Sequence, residues 1–397
     1  MSWESVKLED ISSGIQTGPF GSQLHQSDYT EDGTPVVMPK DLIGGKISEQ
    51  SIARVGAEHV QRLQRHIIQN GDILYSRRGD VGRCAFATER ETGWLCGTGC
   101  LRVTVNPRVA DKKFVFYQLQ QSSTIDWVEK HAVGATMLNL NTKILSNIPV
   151  FLPPIETQHR IADILSAYDD LIENNRKQIK LLEEAAQRLY KEWFVDLRFP
   201  GYEHTKIVDG VPAGWEKKPL SSIADVVMGQ SPKSEFYNQI GEGLPFHQGV
   251  GSYGNRFVKD ETYSTSFTRV AEAGSVLFSV RAPVGRLNIT KNKIVIGRGI
   301  AALNHKNRFQ SFLFYMLKER FFKDNLVGNG SIFASISKDE LLNQQFIIPC
   351  EDILVHYDRV AKNIDERIAV LDRQIELLTQ GRDRLLPKLM SEEVEVW

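Results

Sequence analysis

The sequence predicts an α+β protein in which two mixed α/β globular domains are joined by two long antiparallel coiled-coil helices, the whole an internal pseudo-twofold duplication. Three observations predict it. Residues 330–349 (GSIFASISKDELLNQQFIIP) lie over residues 134–153 (GATMLNLNTKILSNIPVFLP) at a constant offset of 196. Upstream, residues 71–83 (GDILYSRRGDVGR) match 274–286 at an offset of 203, and Trp3-Glu4 matches Trp215-Glu216 at 212. Each globular stretch is followed by a segment whose apolar residues recur with a heptad period. The repeat unit is far longer than the ~20–50 residues of a solenoid repeat. A module of domain plus helix is therefore duplicated, which suggests a molecule that does one thing at two places.

In chain order, residues 1–155 form the first domain. Short β-branched and aromatic runs at 35–38 (PVVM), 72–76 (DILYS) and 101–105 (LRVTV) are separated by Gly, Pro and Asp, which reads as strands and turns. A helix is predicted over 113–121, with a counterpart over 310–320. The domain closes on a proline-bounded strand at 148–154 (IPVFLPP), echoed by 346–349 (FIIP). The period then changes. Ile161, Leu165, Tyr168, Ile172, Asn175, Ile179, Leu182, Ala186, Leu189 and Trp193 alternate steps of four and three, a heptad seam that predicts a spacer helix within 156–199. Residues 200–350 repeat the mixed pattern as a second domain. The last segment, 351–397, carries the second seam: Tyr357, Ala361, Ile364, Ile368, Leu371, Ile375, Leu378, Arg382, Leu385 and Leu389. Two seams of equal length most economically pack on each other, as rods of roughly 50 Å at 1.5 Å rise per residue. Asn175 and Arg382 are the clearly polar seam members, of the kind that fixes register. Each helix leaves its own domain, so an antiparallel pair places the domains at opposite ends. A parallel pair would require the chain to return along the rod between residues 195 and 215.

Composition excludes several classes. The 41% hydrophobic and 24% charged fractions are those of an ordinary soluble protein. No run approaches bilayer length and the start MSWESVKLED lacks a signal-peptide pattern, so no membrane association and a cytoplasmic location are expected. Four cysteines without a pairing pattern fit a reducing compartment. Cys96-x3-Cys100, with Cys84 nearby, matches no common zinc spacing, so these thiols are expected to pack and no metal is expected. The net charge of −1 hides a division. Lys+Arg against Asp+Glu is 16 to 16 over 1–155 and 18 to 13 over 200–350, but 7 to 9 and 7 to 11 in the two helical segments. Positive charge sits in the globular parts, where a polyanion can be gripped, and the helices would repel one.

Seven short pieces carry a resemblance: 17–22 (TGPFGS), 33–37 (GTPVV) with 44–47 (GGKI), 71–74 (GDIL), 152–158 (LPPIETQ), 193–196 (WFVD) and 384–390 (RLLPKLM). Together with the duplication they resemble the DNA-specificity subunits of type I restriction–modification systems, over essentially the whole chain. The resemblance implies two target-recognition domains, each reading one half of a bipartite asymmetric target in double-stranded DNA. It also implies helices that set the spacing and dock two adenine-methyltransferase subunits, with restriction/translocase subunits in the full complex. The residues agree on what is missing. There is no Asn/Asp-Pro-Pro-aromatic motif, no glycine fingerprint for S-adenosylmethionine, no GxxxxGK[ST] loop and no Asp…Glu-x-Lys cluster. No cofactor and no catalysis are expected. A complete methyltransferase or nuclease is thus the weaker enzyme reading. The other alternative is a coiled-coil scaffold with two protein-interaction domains and no DNA contact.

Base reading needs Arg, Lys, Asn, Gln or His at groove edges, while phosphate contacts need Lys, Arg, hydroxyls and backbone amides. The repeat offset falls only inside the globular parts, so the halves differ there. The first-half candidates are Gln23, His25, Lys40, Lys46, Arg77, Arg78 and Arg83. The second-half candidates are Lys233, Gln248, Tyr253, Asn255, Arg256, Arg281, Arg286 and Arg298, with Arg256 matching Lys46. The shared pairs Arg78/Arg281 and Arg83/Arg286 suit phosphate. The unshared Arg77, opposite Val280, and Gln248, opposite Met38, suit base edges. Phe20 and Trp94 are assigned to the core, and the Gly79-x2-Gly82 and Gly297-x-Gly299 turns to structure.

Overall fold

The computed structural model describes residues 3–134, 136–321, 335–391 and 393–394. Residues 330–334, the start of the later repeat copy, lie outside them. The chain divides into two compact units, 1–174 with 374–397, and 175–373.

In the first unit the alternating runs form a four-stranded antiparallel sheet from β1 (Ser12–Thr17), β2 (Ile73–Ser76), β3 (Cys84–Phe86) and β4 (Cys100–Val105), in the order β1-β4-β2-β3. Val103 pairs with both Ile15 and Ile73, so β4 lies inside the sheet, and its residues alternate between buried and half-buried. The buried face packs on the helix Lys112–Leu119, begun where Asp111 accepts from the Phe114 N–H. A second helix, Ser122–His131, follows it. A smaller sheet sets Thr34–Val37 parallel to Leu95–Cys96 and antiparallel to Ala53–Val55. The proline-bounded strand Pro149–Leu152 pairs with Glu4–Lys7, which ties the end of the globular part to its start.

The second unit repeats this plan with β5 (Ala224–Met228), β6 (Val276–Ser279), β7 (Leu287–Ile289) and β8 (Ile300–His305), in the order β5-β8-β6-β7. Its helix is Gln310–Phe321, its closing ribbon pairs Glu216–Pro219 with Gln345–Ile348, and Leu244–His247 runs parallel to Ile294–Ile296.

The central helix runs from Ile155 to Tyr190 and closes in a π turn at Lys191–Val195; the C-terminal helix runs from Glu351 to Met390. Every seam position named above is buried or half-buried, whereas Leu171, Leu181, Val360, Val370 and Leu377, each one step off the seam, are exposed. Within each unit the helix segments pair antiparallel. In the first unit Asp169 meets Arg382, while Ile161 and Leu165 share a core with Leu389. In the second unit the Tyr190 ring lies 6.0 Å from that of Tyr357, and Ala186 shares their core with Ala361.

One carboxylate in each unit docks the globular part on the helices. The Tyr117 hydroxyl donates to Asp169 at 2.6 Å, and Arg382 donates to the same carboxylate at 2.5 Å. At the repeat-equivalent positions the Tyr315 hydroxyl donates to Asp365 at 2.8 Å, but here the cation is Arg256, from the globular part. The tyrosine and the carboxylate are duplicated; the arginine comes from the helix seam in one unit and from a loop in the other. One expectation is corrected here, and a second candidate takes a contact to a helix. Arg256 is buried, with its guanidinium 4.1 Å from the Phe314 ring centroid and Glu183 at 3.6 Å, so it clamps the domain rather than facing DNA. Its counterpart Lys46 is half-buried and reaches Glu173 of the central helix at 2.6 Å, the same docking task. Cys84, Cys96 and Cys100 are buried, and burial pushes the thiols of Cys84 and Cys96 up to about 12.

Candidate nucleic-acid interface

At one end of each four-stranded sheet, four main-chain hydrogen bonds recur in both units. The Gly18 N–H donates to Cys100, Gly97 to Val37, Arg77 to Gly99 and Leu140 to Arg77. In the second unit Gly229 donates to Ile300, Gly297 to His247, Val280 to Gly299 and Ile336 to Val280. Both copies keep glycine at the closest approach, because a Cβ on Gly18 would collide with the Gly97 carbonyl and one on Gly229 with that of Gly297. The lattice superimposes side-chain positions pairwise: Met38 on Gln248, Arg77 on Val280, Arg78 on Arg281 and Thr98 on Arg298. Arg78 and Arg281 also share a bridge, to Asn139 and Ser335 respectively.

In the second unit this edge opens into a cleft of about 650 Å³ lined by Ser231, Lys233, Glu235, Tyr237, Gln248, Arg281 and Arg298. Four of the sequence candidates therefore share one concavity. Its cations outnumber its single carboxylate, and the Lys233–Glu235 pair at 3.8 Å is exposed on both sides and worth little. The Arg298 N–H donates to Ser231 Oγ and the Gly299 N–H to the Gln248 carbonyl, which fixes the turn against its neighbours. Behind Gln248, the fully buried His247 ring bonds Ser252 at 2.8 Å and Asp260 at 3.0 Å. The His247 hydrogen bond holds the Asp260 carboxyl below its ordinary value, against the opposing effect of burial. This brace supports the loop that carries Asn255, which is exposed, and Tyr253, whose hydroxyl is buried and whose pKa burial raises. Tyr253 thus belongs to the interior. Arg286 is half-buried at the end of the turn that follows β6, where its N–H donates to Ser279 Oγ.

The first unit presents a different surface on the same lattice. Arg77 sits over the ring of Phe20, 6.0 Å from its centroid. Phe20 is 54% exposed, a correction to its assignment to the core, since it tips the loop after Gly18. Trp94 is half-buried against the smaller sheet's core. Gln23 shapes the Phe20 loop by accepting the Phe20 N–H, and Lys40 donates to the Ser51 carbonyl at 2.8 Å. Arg83 forks onto Asp80, while His25 and Arg78 are exposed. Sequence reasoning missed Thr98 and the His247 brace. Gly97-x-Gly99 matches Gly297-x-Gly299 at an offset of 200, and that register carries the Thr98/Arg298 equivalence. Among the described residues no group of His, Cys, Asp or Glu is placed to hold a metal ion, and no helix is long and apolar enough to cross a membrane.

Comparison with known proteins bears on what such an edge grips. The model of the family described as "Type I restriction modification DNA specificity domain" matches residues 2–184 and again 212–386. A relative of Methanocaldococcus jannaschii, provisionally named a type I restriction enzyme MjaX specificity subunit, is 28% identical over 405 residues, covering 99% of this chain and 94% of that protein. The type I restriction enzyme HindI specificity subunit of Haemophilus influenzae is 23% identical over 467 residues and 99% of each chain. The solved type I restriction–modification S subunit from M. genitalium shares the fold, with a TM-score of 0.62 at 18% identity over 98% of this chain and 96% of that one.

Proposed function

The chain belongs to the type I restriction modification DNA specificity family, with two copies of its domain, and from that premise we propose that each globular part reads one half of a bipartite DNA target. It is the DNA-recognition subunit of such a system and does no chemistry itself. The observation that carries the two-reader proposal is the repeated main-chain lattice bearing unlike side chains: one scaffold, two reading surfaces. Phosphate contacts are assigned to the shared Arg78 and Arg281, with Lys40, His25, Lys233, Arg83 and Arg286 on the rims. Base contacts are assigned to Arg77, Gln248 and Arg298, with Gln23 and Asn255 beside them. Lys46, Arg256 and Tyr253 are withdrawn from this set. The helices set the spacing and dock the methyltransferase subunits; the exposed Leu171, Leu181, Val360, Val370 and Leu377 supply apolar surface suited to that docking. A subunit that selects sites in genomic DNA for its partners to modify works in the cytoplasm.

With a net charge of −1, the isolated chain has little phosphate-driven affinity. It should bind DNA weakly alone and gain site-specific affinity on joining its methyltransferase partners. Gel shifts at fixed salt compare the two, and sequencing modified bases in a host carrying the assembled system gives the motif. Tight site-specific binding by the chain alone would refute the dependence on partners. A host without any bipartite modified motif would refute the specificity function.

A further inference from the structure

The two reading edges differ by an exchange. Arg77 and Thr98 lie on adjacent turns in the first unit, joined by the hydrogen bond from the Arg77 N–H to the Gly99 carbonyl at 2.8 Å. In the second unit the same bond, 2.9 Å long, joins Val280 to Gly299, and the neighbouring turn carries Arg298. Each unit thus places one arginine on this pair of positions, on opposite members of the pair. We infer that Arg77 in the first unit and Arg298 in the second are specificity-determining residues, each reading a guanine in its own half-site, from two different positions on one scaffold. The inference deepens the two-reader function proposed above and rests on it.

Three features favour base reading over a structural role. Arg298 is exposed, lines the polar cleft beside Gln248, and makes no ion pair among the described residues. A guanidinium is the fork that matches guanine O6 and N7 in the major groove. In the first unit, Arg77 Nε, Thr98 Oγ1 and Asn139 Oδ1 are buried without a hydrogen-bond partner; Asn139 bridges Arg78, the neighbour of Arg77, and Thr98 precedes Gly99, whose carbonyl accepts the Arg77 N–H. Buried polar atoms are nearly always satisfied. Three unsatisfied ones on neighbouring turns are hydrogen-bonding capacity that the fold itself does not use. Neither arginine is preserved between the copies, whereas Arg78 and Arg281 are, as expected if the shared pair holds backbone and the exchanged pair reads bases.

The test uses the full chain with its methyltransferase partners and reads the modified motif in host DNA. Arg298→Ala is expected to relax one guanine position in one half of the motif, and Arg77→Ala one position in the other half, leaving the opposite half intact in each case. In gel shifts the preference for guanine there should fall roughly 5- to 140-fold. Arg78→Ala should instead weaken binding to all sequences with the motif unchanged. The exchange variant Arg77→Val with Thr98→Arg should alter the first half alone. If an alanine variant loses all modification, Arg298→Lys and Arg77→Lys keep the charge without the fork and should still relax the guanine. Unchanged motifs in all of these modifying variants, or equal relaxation of both halves by one substitution, overturn the inference. A wild-type complex that marks no bipartite motif overturns the underlying function instead.

Discussion

His305 ends β8 with its ring against Phe309 and Phe312, and its Nδ1 accepts the Asn307 N–H at 3.1 Å. Burial of the ring lowers its pKa from 6.5 to about 4. Between those values the unfolded chain binds a proton that the folded chain excludes. The stability linked to His305 is therefore fully present above about pH 6.5 and is lost as pH falls toward 4, by about 2 kcal/mol at pH 5. Urea midpoints at pH 7 and pH 5 should show a smaller acid loss in His305→Gln than in the parent, and equal losses would remove His305 as the cause. The same scale shows why the site was only partly legible. Arg256 and Arg298 are both arginines in a cationic stretch, and nothing local separates them. Asp365, 109 residues away in sequence, decides that Arg256 is a buried clamp. The unshared positions Arg77 and Gln248 could be picked from the repeat because a gap-free register reaches them. Thr98 was missed because the match of Gly97-x-Gly99 to Gly297-x-Gly299 is only two glycines long, too short to fix its register of 200 without the main-chain bonds.

The secondary-structure elements were legible in proportion to their length. The heptad seams named the buried face of both long helices, since period and length leave no competing structure, and the closing strands were marked by proline. Two-residue strands such as Leu95–Cys96 or Tyr263–Ser264 carry no period and are fixed only by the sheet around them. The helix Ser122–His131 went unforeseen because just two of its ten residues are buried and its apolar residues, Ile125, Trp127 and Val128, span about one turn, too short for a period to show. Docking of domain on helix was also invisible, because its carboxylate meets a different arginine in each copy. That difference has a measurable consequence. Asp365→Asn leaves the Arg256 side chain, 3% exposed, with Glu183 as its one remaining carboxylate among the described residues, and should cost on the order of 3 kcal/mol. Asp169→Asn leaves Arg382, 27% exposed and still bonded to Asp383 at 2.7 Å, and should cost about 1 kcal/mol. Replacing Arg256 and Asp365 together by Met and Leu should recover much of the larger loss. Equal costs for the two single variants in denaturant titrations would show that burial of the cation does not set the scale.

At the scale of the whole molecule the two long helices are what the units have in common. The central helix runs unbroken from Ile155 to Tyr190, through the passage from one compact unit to the other between residues 174 and 175, and the C-terminal helix passes back between 373 and 374. Extra turns placed at those two points leave every contact internal to a unit untouched. If helix length sets the gap between the half-sites, seven residues inserted at both points add roughly 10 Å of rise. They also keep each seam in phase to within about 20°. At about 3.4 Å per base pair, the unspecified gap should then widen by up to three base pairs while the two flanking motifs stay the same. A two-residue insertion turns each seam by about 200° and should abolish recognition, because the buried face would no longer meet its partner. The readout is the modified motif in hosts carrying each variant with its methyltransferase partners. A folded, modifying heptad variant with an unchanged gap would show that the helices do not measure the target, and the proposed role of the spacer would have to be abandoned.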